Sequence, residues 1–103
     1  MVTITNEIAQ GMLADVPQYK QFWCCDGRFL KNLSELATAL REMSDETFRY
    51  HLNETKNDFS NWVRDVIGDE KLATDLRKSK TQTQARKAVA DRVTWLKNKI
   101  KAR

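Results

Sequence analysis

One stretch, Met43–Ala73, constrains this chain more than any other: MSDETFRYHLNETKNDFSNWVRDVIGDEKLA. It holds three helix starts in close succession, at Ser44, at Asn57 or Asp58, and at Asp69. Each start sets a short oxygen-bearing side chain ahead of an apolar pattern, where it can accept from the unpaired N–H groups of a first helical turn. Phe59, Trp62, Val63, Val66 and Ile67 then keep the i, i+3, i+4, i+7, i+8 spacing of one buried helix face. Gly68 stands where a left-handed residue ends such a helix. Phe48, His51, Leu52 and Thr55 line one side of the preceding helix. These features predict tightly spaced short helices around aromatic anchors, with Asn57 and Asp58 capping and Phe59 and Trp62 filling the core.

The flanks extend the same plan. Thr3–Ala14 reads as a helix with Ile4, Ile8 and Met12 recurring every four residues, capped by Thr5 or Asn6 and ended by Pro17. Gln21–Leu30 reads as a small hairpin, with Asp26-Gly27 suited to a two-residue turn at positive φ. Two strands alone are barely stable, so the hairpin must lie on helices. Leu33–Met43 is strongly amphipathic, with Asn32 and Glu35 in a capping pattern. After a polar KSKTQT loop, a last helix runs from about Thr81 to Lys101 on a Val89, Val93, Leu96, Ile100 stripe. Only three glycines and one proline interrupt the chain. The expected fold is mostly α, a bundle of five or six short helices with one small hairpin, in one domain spanning 1–103.

Charge is divided along the chain. Residues 1–70 carry 7 Lys/Arg against 12 Asp/Glu, whereas residues 71–103 carry 11 against 2. A basic end on an acidic body can bind nucleic acid, or the two parts can attract each other within a chain or across a dimer. No apolar run approaches the roughly 20 residues of a membrane span. MVTITNEIAQ lacks the basic start and apolar core of a signal peptide, so a cytoplasmic location is expected. Cys24 and Cys25 are adjacent and are expected as free thiols, one facing inward and one outward on a strand.

Few residues offer chemistry. His51 with Asp58 is the one acid–base pairing, but His51 shares a face with Phe48 and Leu52 and is expected to be buried and hydrogen-bonded. Cys24, Cys25 and His51 have the wrong spacing for a metal site. GxGxxG, GxxxxGK[ST], GxSxG and HExxH are all absent. No enzyme activity, metal or cofactor is expected. Arg86, Lys87, Arg92, Lys97, Lys99, Lys101 and Arg103 are the candidate contacts to nucleic acid or an acidic partner. On a helical wheel these cations flank the apolar stripe on both sides and wrap behind it, which suits backbone contacts better than groove readout. Trp95 lies off that stripe, either at the core's edge or as an exposed anchor for a partner.

The Met43–Ala73 stretch, together with FWCCDGRFLKNLSELATAL upstream, resembles a family of small archaeal and bacterial domains of unknown function. The resemblance spans about residues 22–76. Its pattern includes Gly27, His51, Asn57, Asp58, Trp62 and Gly68, and leaves the first helix and the basic last helix outside. Occurrence of such domains within longer proteins implies an interaction module. The combined expectation is a non-enzymatic module that binds protein and can self-associate, with nucleic-acid binding through the last helix as the alternative.

Overall fold

The computed structural model describes residues 3–101. Its elements are helices α1 (Asn6–Leu13), α2 (Leu33–Glu42), α3 (Asp45–His51), α4 (Asp58–Trp62), α5 (Glu70–Lys78) and α6 (Gln82–Lys101). A 3-10 turn at Gln18–Lys20 leads to strands β1 (Phe22–Trp23) and β2 (Phe29–Leu30). The mostly α architecture with one antiparallel hairpin is as expected.

The caps follow local chemistry. The side chains of Thr5, Asn32, Ser44, Asn57 and Asp69 accept from backbone N–H groups at the starts of α1 to α5 in turn. Two caps are reciprocal but displaced by one residue. Glu35 accepts from the Lys31 N–H while its own N–H bonds Asn32, and Gln84 does the same with Lys80 and Thr81. Asn57 takes both capping duties at its helix. Its Oδ1 accepts from Ser60 N–H, and its Nδ2 donates to the Leu76 carbonyl at 2.9 Å, tying α4 to the end of α5. Asp58 does not cap: its carboxylate meets His51 and Lys56 instead.

Three expectations are corrected. First, the hairpin loop has three residues, Cys25–Asp26–Gly27. Phe22 faces Leu30, Trp23 faces Phe29, and Cys24 N–H bonds the Arg28 carbonyl at 2.9 Å. A two-residue turn would force Asp26 to positive φ; the extra residue lets Gly27, at φ +103°, take that conformation alone. Second, the run after Trp62 winds as a π-helix, Val63–Ile67, with Gly68 N–H bonded to the Val63 carbonyl at 2.8 Å. The wider turn rotates Val66 and Ile67 to the core's edge, half-buried, while Phe59 and Val63 are fully buried. Third, α1 begins at Asn6 rather than Thr3, and Ile8 is exposed whereas Ala9 and Met12 are buried.

One apolar cluster holds every element together. Phe59 stacks on Phe22 and Phe48 with centroids 5.4 and 5.7 Å apart, and Trp62 meets Phe22 edge-on. Trp62 Nε1 donates to the Lys20 carbonyl at 2.8 Å and fastens the 3-10 turn onto α4. Leu33, Leu36, Leu40, Val89 and Leu96 are fully buried on α2 and α6. Gln82 Nε2 donates to the carbonyls of Leu40 and Met43, closing the end of α2 from the start of α6. None of the described helices is long and apolar enough to cross a membrane.

Candidate functional site

His51 is sealed. It is 1% exposed, ringed by Phe22, Trp23, Tyr50 and Phe59. Its Nε2 accepts from Cys25 N–H at 3.0 Å, so the ring proton sits on Nδ1 and is donated to Asp58 Oδ2 at 2.9 Å. Both ring nitrogens are thus engaged, and the histidine latches the hairpin loop onto α3 and α4. The two residues that resembled an acid–base pair form one part-buried hydrogen-bonded strut.

The cysteines divide as strand alternation predicts. Cys24 is buried and Cys25 is partly exposed, and both are free thiols. Burial pushes the Cys24 thiol up to about 11 from 9.0; the nearby Asp26 carboxylate adds to the rise, against a backbone hydrogen bond from Asp26. A thiol reagent near neutral pH is therefore expected to label Cys25 quickly and Cys24 only on unfolding. The folded chain also holds the Cys24 proton where the unfolded chain releases it. Stability from this group is whole below pH 9 and is lost as pH rises towards 11, by about 2–3 kcal/mol in all. Urea midpoints on either side of pH 9 should fall more in the wild type than in Cys24→Ala.

The basic helix is where the structure departs furthest from expectation. Arg86, Lys87, Lys97, Lys99 and Lys101 are exposed, but Arg92 is 8% exposed and enters the fold. Its Nε and Nη2 grip the Asp69 carboxylate at 2.7 and 2.9 Å. Arg92 is therefore a structural residue first and not a free surface contact. Asp69 in turn caps α5 through Leu72 N–H, so one carboxylate serves a helix start and a buried ion pair. Arg103 lies outside the described residues. Among the described residues, Asp69–Arg92 is also the one ion pair that joins the acidic 1–70 segment to the basic remainder. Direct ion pairs among the described residues thus leave most of the charge asymmetry unpaired.

Beside this pair lies a hollow of about 890 Å³ between α1, α5 and α6. Ile4 and Met12 form one wall, Glu70, Lys71 and Asp75 the other, and Ala88, Arg92, Trp95 and Lys99 the floor. Trp95 is 45% exposed and lines this groove. The Arg92 guanidinium lies 4.6 Å from its ring centroid and the Lys99 ammonium 5.9 Å, both within cation–π reach of the indole. The Asn6 amide, oriented to satisfy its surroundings, donates to the Lys99 carbonyl at 2.8 Å and pins α1 against the far end of α6. A second hollow, about 820 Å³ beside the 53–56 turn, is lined mostly by polar side chains. A further aromatic surface lies on the outer face of the hairpin, where Trp23, Phe29 and Tyr50 are each about half exposed or more. Sequence periodicity flagged Trp95 as off-stripe but had no signal for Ile4, Met12 or Asp69 as its neighbours.

Fold and site together define a small helical domain with a sealed histidine and an open, tryptophan-floored groove. The model of a family of unknown function, DUF5752, matches residues 19–94, and the chain belongs to that family. The match extends past the span 22–76 and takes in most of α6, including Arg86, Lys87 and Arg92, while Trp95, Lys97, Lys99 and Lys101 follow its end. No curated protein and no solved structure matches the chain.

Proposed function

We propose that this chain is a non-enzymatic interaction module of the cytoplasm that binds a partner protein, or a second copy of itself, in the α1–α5–α6 groove. The observation that carries this reading is Trp95, half exposed in the lining of a groove and flanked by Arg92 and Lys99. Tryptophan and arginine are the residues most enriched among those that dominate binding energy. The engagement of both His51 nitrogens supports the non-enzymatic part. The archaeal and bacterial setting suggested by the signature belongs to the same reading.

Trp95→Ala is expected to abolish capture of the partner from a host extract, or the dimer in light scattering, while leaving the melting temperature within a few degrees. A partner or dimer retained at full strength by Trp95→Ala would remove the groove from consideration.

Nucleic-acid binding by α6 is the second reading, favoured by cations that, among the described residues, form no ion pair with the acidic segment. At about 100° per residue, Arg86, Lys97 and Lys101 share one side of α6, away from the groove floor. That separation lets the two readings be tested by different substitutions.

A further inference from the structure

Taking the groove reading as given, we infer that its occupant is an acidic amphipathic helix: an apolar side chain seated on Trp95, with flanking carboxylates on Arg92 and Lys99. The mode of binding follows from the groove's construction. Its sides are helices, so no free strand edge is offered for a partner strand, and it contains a single exposed aromatic rather than the series that receives a proline-rich segment. Ala88, Arg92, Trp95 and Lys99 lie within about 60° of one another on α6 and span about 16 Å, which matches about three turns of a docked helix. Ile4 and Met12 supply the apolar wall that such a helix would bury against.

The charge of the occupant follows from which groove groups lack partners. Of the lining carboxylates, Asp69 holds Arg92, Asp75 holds Lys71 at 2.6 Å, and Asp91 holds Lys87 at 2.7 Å. Glu70 has no ion pair among the described residues. Among the described residues, Lys99 has no ion pair. Arg92 commits Nε and Nη2 to Asp69, while Nη1 makes no hydrogen bond among the described residues; as no buried side-chain nitrogen there is unpartnered, Nη1 is the accessible edge of a side chain that lines the hollow. The floor therefore offers donors on two sides of Trp95, while the unpaired lining carboxylate, Glu70, stands on the α5 wall. A carboxylate can meet Nη1 without disturbing the Asp69 fork, and a charge-assisted bond of that kind is stronger than a neutral one. A nucleic acid would find backbone-contacting cations on α6, but it has no use for the Ile4 and Met12 wall.

The probe is a synthetic helix of about three turns with leucines on one face and glutamates beside them, compared with a twin carrying lysines at the glutamate positions. Binding is followed by the indole N–H signal of Trp95 in two-dimensional NMR, assigned through Trp95→Phe. The expected result is a shift of that signal by the acidic helix alone, weakened by salt. Lys99→Glu should reduce affinity about tenfold, and an Arg86→Gln/Lys97→Gln/Lys101→Gln variant should leave it unchanged. Equal binding of the lysine twin overturns the acidic assignment but leaves a groove reading in place. Binding of neither helix overturns the inference, while the Trp95 dependence of partner capture still decides the groove reading separately. A short DNA duplex that binds more tightly than the acidic helix, and loses affinity in the Arg86/Lys97/Lys101 variant, also overturns it and moves the function to the opposite side of α6.

Discussion

Asp69→Ala is expected to destabilise the folded chain by about 3–5 kcal/mol, because the Arg92 guanidinium would stay buried without its counter-charge. The pair is the least exposed among the described residues, with the Asp69 side chain at 1% and that of Arg92 at 9%. Part of the cost is local: without the carboxylate, Leu72 N–H at the start of α5 loses its acceptor, which is worth about 1 kcal/mol. The rest is the uncompensated charge. These contributions separate in a double substitution. Asp69→Ala with Arg92→Met removes both charges and should recover most of the loss except the cap. Urea midpoints of the two single variants and the double variant measure the coupling. A single-variant loss under about 1 kcal/mol would mean that Arg92 swings out to solvent when released. The exposed pairs, such as Arg49–Asp45 and Lys87–Asp91, are expected to contribute far less, because solvent screens them.

Trp62→Ala is the other large expected effect, again about 3–5 kcal/mol. Trp62 closes the aromatic cluster against Phe22, and it alone carries the indole bond to the Lys20 carbonyl. Deleting it opens a cavity at the core's edge and frees the 3-10 turn. Trp62→Phe keeps most of the apolar area while removing the donor, so it should cost markedly less, with roughly 1 kcal/mol of its loss assigned to the hydrogen bond. Thermal melts distinguish the two. A drop of only a degree or two for Trp62→Ala would place the indole outside the cooperative core.

The local parts of this fold were legible because they are written in neighbouring residues. Ser44, Asn57 and Asp69 announce helix starts through side chains that reach an N–H three residues on. Gly68 announces a helix end because a left-handed backbone, here φ 83°, favours glycine. Cys24 inward continues the alternation of Phe22 and Trp23, whereas Cys25 already lies in the hairpin loop. Where the reading failed, a longer-range demand won. The π-helical turn after Trp62 has no signature in an apolar spacing that suits an α-helix equally well. Arg92 looked like one more surface cation because its partner is 23 residues away, beyond any helical or hairpin periodicity.

The amino-acid sequence by itself determined most helix starts and their caps, the main apolar stripes and the uneven charge, since each depends on contacts within a few residues. The tertiary structure alone decided that His51 spends both nitrogens on Cys25 and Asp58, that Arg92 is drawn inward by Asp69, and that Trp95 lies on the floor between α1 and α5. Those outcomes depend on which distant surfaces meet. A buried charge or an open indole acquires its role from neighbours that the bundle brings together, and no local pattern along the chain encodes that meeting.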